Sequence, residues 1–163
     1  MKIKSLVTNA LIAALYVVVT WLIVPFGFTH IQFRISELFN HLIVFNKKYF
    51  FGIVLGVFFA NLFFSPIVAY DLLFGLSHTI LSLLITIFIS RYIKNKIALM
   101  AINTVVFSFN MFIIAIMLKL ILEVDLPFGF IWFTTAVGEF IVMAIAIPIV
   151  YALGKRLKFK ELV

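Results

Sequence analysis

Long apolar runs alternate with short polar segments along almost the whole chain, and this pattern is typical of a membrane protein with several spans. A helix needs roughly 17 to 25 mostly apolar residues to cross the hydrocarbon of a bilayer. Six runs meet or approach that length and are the predicted transmembrane helices: residues 5–26, 31–46, 50–65, 71–91, 97–120 and 130–153. The second and third runs are the least sharply defined. The sequence therefore predicts an all-α membrane protein, with residues 1–163 forming a single integral membrane domain.

The positions of the basic residues predict the orientation of these helices, because cytoplasmic loops carry an excess of Lys and Arg. If the N-terminus is cytoplasmic, only Arg34 and Lys119 fall on the outer side. An even number of spans then returns the C-terminus to the cytoplasm. Eleven basic residues lie on the inner side in this arrangement: Lys2, Lys4, Lys47, Lys48, Arg91, Lys94, Lys96, Lys155, Arg156, Lys158 and Lys160. The outer connections carry the turn sequences PFG at 25–27, SP at 65–66 and DLPFG at 125–129.

Composition supports the membrane assignment and excludes several functions. The chain is 66% hydrophobic and 12% charged, and its mean hydropathy is +1.28, a balance that a soluble domain of this size could not bury. The absence of cysteine excludes disulfides, thiolate metal sites and cysteine nucleophiles. The net charge of +7 is explained by loops that contact anionic lipid headgroups, so we expect membrane lipid and not nucleic acid as the partner of these residues.

Ionisable and amide residues inside the predicted helices are the candidates for a functional site, because charge at membrane depth is costly and usually faces a bundle interior or a wet cavity. Arg34, Glu37 and His41 recur at i, i+3 and i+7, on one face of the second helix, with Asn40 beside them. We expect the later helices to add polar residues to the same outward-facing pocket: Asn61, Asp71, Gly75, His78, Ser82, Asn110, Trp132, Thr135 and Glu139.

A purely structural interpretation is available for most of these residues. Arg34 and Glu37 would form an ion pair within one helix, and Asp71 would cap the N-terminus of the fourth helix. Interhelical hydrogen bonding is the simpler role for His41, His78 and Asn103. Glu139 differs, because it has no basic neighbour within a turn and lies too deep to reach the surface. A functional role is therefore favoured for Glu139.

The sequence gives no sign of catalysis. His41 and His78 lie on different helices without a closely spaced ligand pair, so no metal site is predicted. There is no G-x-S-x-G motif and no evident nucleophile with its base, so neither an enzyme nor a cofactor is expected. The chain also lacks G-x-x-x-x-G-K-[ST], and a partner would have to supply any ATP hydrolysis.

Small residues form two ridges along the predicted helices. Gly52, Gly56 and Ala60 form G-x-x-x-G-x-x-x-A in the third helix, where close packing inside the bundle is the expected role. Ala10 and Ala14 form A-x-x-x-A in the first helix. Helix spacing alone leaves open whether these two alanines pack internally or against a partner.

Several features of the chain occur together: six short spans, the Ala10 and Ala14 motif, and the segments IQFRISEL at 31–38, GVFFANLF at 56–63, YDLLFG at 70–75 and AVGEF at 136–140. In these features the chain resembles the substrate-binding S components of energy-coupling factor (ECF) transporters, and within them the QueT-type family assigned to queuosine precursors. The resemblance implies an S-component bundle in a bacterial cell membrane. It also implies an ECF module of one transmembrane coupling protein and two cytoplasmic ATPases, with Ala10 and Ala14 docking the coupling protein.

The implied substrate, a 7-deazaguanine, can be tested against the candidate residues. Its N1–H and exocyclic amine are parallel donors that suit a buried carboxylate, for which Glu139 is our first choice; an aminomethyl group would suit Glu37 or Asp71. Asn61 or Asn110 would answer the remaining ring atoms, and the rings of Phe33, Trp132 or Phe133 would stack on the base. The alternatives are an S component for a thiamine-like or pyridoxine-like vitamin, a membrane enzyme, and a regulatory membrane subunit.

Overall fold

The computed structural model describes residues 3–24 and 33–163, and within these ranges the chain is helical and contains no strand. Among the described residues, five helices are long and apolar enough to cross a membrane: α1 (Ile3–Leu22), α2 (Lys47–Phe64), α3 (Val68–Ile89), α4 (Lys96–Leu120) and α5 (Phe128–Arg156). A ten-residue 3₁₀ helix, Ile35–Val44, lies between α1 and α2. A short helix, α6 (Phe159–Leu162), follows α5.

The prediction of a full-length second span at 31–46 is not confirmed by the described residues. The 3₁₀ helix Ile35–Val44 replaces it and is too short to count as a membrane-spanning helix by length. At about 2 Å per residue, ten residues of 3₁₀ helix cover roughly 20 Å, more than the same number in an α-helix. Contacts with α1, α3, α4 and α5 hold this tighter winding in place. Lys2, the PFG turn at 25–27, His30 and the first two residues of that span lie outside the described residues.

Hydrogen bonds define which element ends lie together. Thr8 donates to the carbonyl of Leu162 at 2.9 Å, and Asn46 donates to that of Lys160 at 3.2 Å. Lys96 at the start of α4 lies over the ring of Phe45, 4.6 Å from its centroid. The starts of α1, α2 and α4 therefore meet the C-terminal segment at one end of the bundle, which we call the termini end. The α2–α3 and α4–α5 connections form the far end.

The α1–α2 seam is the closest helix contact, and glycines permit it. A Cβ on Gly52 would lie 2.7 Å from Asn9 Oδ1, and one on Gly56 would lie 2.6 Å from Tyr16 Cβ. The Gly52 N–H also donates to Asn9 Oδ1 at 3.0 Å. The expected internal role of the glycine ridge is confirmed, because no larger residue fits at either position without separating the helices.

The opposite face of α1 is open. Ala10 and Ala14 are exposed, whereas Ala13 is buried against α2. Their neighbours on the open face are large and apolar, among them Leu11 and Val18. Ala10 and Ala14 are therefore not part of the internal seam, and they form a shallow site among larger side chains.

Two long helices depart from regular geometry near the middle of the bundle. Asp71–Gly75 in α3 is a π-helical segment, and α4 is interrupted at Met111 between Lys96–Asn110 and Phe112–Leu120. Such irregularities change the direction of the side chains that follow and are frequent at functional sites. Here they flank a polar cavity.

Candidate functional site

Four polar side chains from three elements meet in a small cavity in the bundle interior. Arg34 and Glu37 enter from the chain at and before the 3₁₀ helix, His78 from α3 and Glu139 from α5. The rest of the wall is formed by Gly75, Thr79, Met111 and Ile114. The free space between these groups is about that of one water molecule. The cavity is thus small and lined largely by polar side chains.

Glu139 is the least satisfied member of this group. Its side chain is only 2% exposed, and Oε1 has no hydrogen-bond partner among the described residues. The nearby Thr135 donates back to the Ile131 carbonyl of its own helix at 2.9 Å and so does not serve the carboxylate. An unpartnered carboxyl group in a membrane bundle is costly, and that cost is offset when a ligand supplies the missing donors.

Glu37, by contrast, is fixed by two neutral donors. Tyr16 donates its hydroxyl to Oε1 at 2.7 Å, and the side-chain amide of Asn40 donates to Oε2. The Asn40 Oδ1 has no partner in the described part of the chain. These contacts orient the carboxylate toward the cavity without neutralising its charge.

Arg34 connects the cavity to α2 and α3. Its guanidinium donates to Asn61 Oδ1 at 3.2 Å and lies 3.6 Å from Asp71 Oδ1. Ser65 donates to the other Asp71 oxygen at 2.5 Å, and the Asn61 amide donates to the Asp71 carbonyl at 3.0 Å. The prediction of Asp71 as an N-cap was wrong: α3 begins earlier, at Val68, and the carboxylate is turned toward Arg34.

The histidines bind other helices, as the structural interpretation predicted. His41 Nε2 donates to the Met143 carbonyl at 2.9 Å, and its Nδ1 is 3.3 Å from the amide nitrogen of Asn103. Asn103 also accepts from Thr86 at 2.6 Å. His78 Nε2 donates to the Phe107 carbonyl at 3.0 Å, although its ring also borders the cavity. The described residues contain no group of three side chains that could hold a metal ion.

Several predicted site residues lie elsewhere. Asn110 is buried but donates to Ser82 at 2.9 Å, and neither residue lines the cavity. Trp132 donates to the Phe109 carbonyl at 3.0 Å in an apolar groove between α4 and α5, which also contains Phe133. Phe33 lies in a second apolar groove, between the 3₁₀ helix and α5. Helical periodicity predicts which residues share a face of one helix, but not which neighbouring helix or groove that face meets.

Sequence reasoning missed Tyr16 and Ser65, the donors to Glu37 and Asp71. Ser65 belongs to the predicted SP turn at 65–66. Tyr16 shares one face of α1 with Asn9 and Thr20, at i, i+7 and i+11. That polar stripe within an apolar helix was the available signal, and all three residues are buried.

Comparison with known proteins identifies a transporter family. The family profile described as QueT transporter matches residues 6–155. The chain is 34% identical over 163 residues to the queuosine precursor transporter QueT of Lactococcus lactis subsp. cremoris (strain MG1363), with 95% of each chain covered. No solved structure matches the chain.

Proposed function

This chain belongs to the QueT transporter family, and we propose that it is the substrate-capture (S) component of an ECF importer for queuosine precursors. Family and relative are transporters and not enzymes, and the apolar helices fit a multi-pass protein of the cell membrane. Under this proposal the polar cavity binds a 7-deazaguanine, and partner ATPases drive its uptake.

The observation that supports this proposal most strongly is the buried, unpartnered carboxyl group of Glu139. A 7-deazaguanine offers two parallel N–H donors, and a carboxylate accepts such a pair in a bidentate manner. Since this would satisfy the Oε1 atom left without a partner, Glu139 is assigned to the base edge. Arg34, which also borders the cavity, is assigned to donate to the ring carbonyl, and its contact with Asn61 would hold the guanidinium in place.

Ligand binding must widen the cavity, because a bicyclic base is several times larger than the present free space. The elements with the least regular backbone are the ones that border it, namely the 3₁₀ helix, the π segment Asp71–Gly75 and the interruption at Met111. Small changes in these elements would enlarge the cavity without disturbing the α1–α2 seam.

The proposed topology has six crossings with both termini in the cytoplasm. Thr8 near the start of α1 and Asn46 just after the 3₁₀ helix both contact the C-terminal segment at the termini end. This supports a second crossing that ends with the 3₁₀ helix. Lys4, Lys47, Lys96 and Lys155 lie at the termini end, as expected for a cytoplasmic side. A reporter fused after Val163 should be cytoplasmic and a tag at 125–129 external; an external C-terminus would refute this topology.

Ala10 and Ala14 are proposed to dock the transmembrane coupling protein. Their exposure on the open face of α1 supports this role. Ala14→Trp should abolish uptake in cells while the purified protein binds substrate with unchanged affinity. Leu84→Trp, at a half-exposed apolar position of α3, is the matched control and should retain uptake. Loss of substrate binding in Ala14→Trp would instead assign the motif to the fold.

The substrate assignment is tested by calorimetric titration of the purified protein with 7-aminomethyl-7-deazaguanine. We expect saturable binding, and none of 7-deazaadenine, which lacks the paired donors of the guanine edge. Absence of binding to the deazaguanine, or equal binding of both compounds, would remove the proposed substrate. Binding of a thiamine-like or pyridoxine-like compound in its place would assign the transporter to another vitamin.

A further inference from the structure

Acidic groups outnumber basic groups around the cavity. Glu37, Asp71 and Glu139 are all buried. Arg34 forms an ion pair with Asp71 and, among the described residues, is the Lys or Arg side chain that borders the cavity. Residues 25–32 contain no Lys or Arg. His78 also borders the cavity, but its Nε2 donates to the Phe107 carbonyl and not to a carboxylate. Acidic groups therefore outnumber Lys and Arg side chains here by two.

The excess can be assigned to particular residues. Arg34 lies against Asp71, which also accepts from Ser65, so the charge of Asp71 is balanced locally. Arg34 borders the same cavity, but within the described residues neither Glu37 nor Glu139 has a basic nitrogen at salt-bridge distance. The donors to Glu37 are a hydroxyl and a neutral amide. Buried charge without a counter-charge is unfavourable, so the site gains when a cation enters it.

We propose that this cavity selects 7-deazaguanines whose 7-substituent carries an ammonium group over neutral ones, and that Glu37 determines this preference. The inference rests on the proposed function, in which Glu139 takes the base edge. The charge of Glu37 is then the one left for the substituent. Tyr16 and Asn40 hold the carboxylate in place, and an ammonium beside it would form a charge-assisted hydrogen bond.

The first test changes the ligand and leaves the protein intact. 7-Aminomethyl- and 7-hydroxymethyl-7-deazaguanine have nearly the same shape, but only the amine is charged. Titration of the wild-type protein should show about 10-fold to 100-fold tighter binding of the amine, the range of one charge-assisted hydrogen bond. Equal affinities, or a preference for the alcohol, would overturn the inference and leave the proposed function standing. Failure of both ligands to bind would remove the proposed function and the inference together.

The second test removes the charge from the protein. In Glu37→Gln the new amide can still accept from Tyr16, and the unpartnered Oδ1 of Asn40 can accept from its NH₂ after the Asn40 amide turns. We expect the amine to bind no more than about threefold tighter than the alcohol, because the charge that favours the amine is gone. Affinity for the alcohol should be retained. Glu161→Gln, an exposed position at the termini end, is the control and should keep the wild-type ratio. If folded Glu37→Gln keeps the wild-type ratio of amine affinity to alcohol affinity, Glu37 does not determine the preference. If the variant does not fold, the comparison of the two ligands on the wild-type protein decides.

Discussion

The α1–α2 seam and the polar cavity lie in the same bundle but satisfy their polar groups in opposite ways. In the seam, Asn9 donates to the Ser5 carbonyl at 2.9 Å and accepts from the Gly52 N–H at 3.0 Å, between regular helices in close contact. In the cavity, Glu139 Oε1 has no described partner, and the surrounding backbone is 3₁₀ or π-helical.

This difference separates the structural part of the molecule from its binding part. Close contact with satisfied polar groups stabilises a membrane bundle, where packing and hydrogen bonds replace the hydrophobic drive. Unsatisfied buried groups and irregular backbone lower stability and persist where function requires them. Variants in the seam should therefore lower stability and leave ligand affinity unchanged. Variants of Glu139 should lower ligand affinity without lowering stability.

The largest effect on stability is expected in the seam, for Gly56→Val. Its side chain would overlap Tyr16, because even a Cβ would lie 2.6 Å from that residue. The free energy of unfolding should fall by about 3 kcal/mol, which lowers the melting temperature by roughly 10 °C. Thermal denaturation in detergent measures this. Gly129→Ala, where a Cβ meets nothing within 4 Å, is the control and should melt like the wild type.

Tyr16→Phe acts where the two regions meet, because Tyr16 packs on Gly56 and donates to Glu37. Loss of a hydrogen bond to a charged group should lower stability by about 1.5 kcal/mol. Affinity for the deazaguanine should fall about threefold, since the Glu37 carboxylate is held less firmly. Melting and titration of the same preparation test both effects. An unchanged melting temperature would show that the Tyr16 hydroxyl contributes nothing to the fold.

Asn103→Leu should have the smallest effect and concerns a satisfied polar group away from the cavity. It removes the contacts with Thr86, His41 and the Asn40 carbonyl. Interhelical hydrogen bonds in membranes contribute about 1 kcal/mol or less each. We expect the melting temperature to fall by roughly 3 °C while ligand affinity stays unchanged. A loss of affinity would mean that the cavity and this polar cluster are not independent.

The lengths of the long helices were predictable because a long apolar run determines them: the predicted runs at 71–91 and 97–120 agree closely with α3 and α4. The glycine ridge was also predictable, because the spacing of small residues along a helix indicates where another helix can approach closely. The 3₁₀ helix was not predictable, because its winding depends on contacts with several other helices. The structure does not place Trp132 and Asn110 in the cavity either: Asn110 donates to Ser82 and Trp132 to the Phe109 carbonyl, and periodicity within one helix does not predict such contacts between helices. Glu139 and Glu37 reach the cavity as predicted, because buried carboxyl groups have few other places in a membrane bundle.

The central claim, that Glu139 binds the base edge of the ligand, is tested most directly by titrating Glu139→Gln with 7-aminomethyl-7-deazaguanine. The substitution keeps the shape but places an amide donor opposite the ligand's own donors. Affinity should fall on the order of 30-fold to 1000-fold, while the ligand-free protein melts at or above the wild-type temperature, because an unpartnered buried carboxyl group has been removed. Glu123→Gln, at an exposed position of the far end, should bind like the wild type. Equal dissociation constants for Glu139→Gln and wild type, with a lowered melting temperature, would contradict the claim and make Glu139 a structural residue.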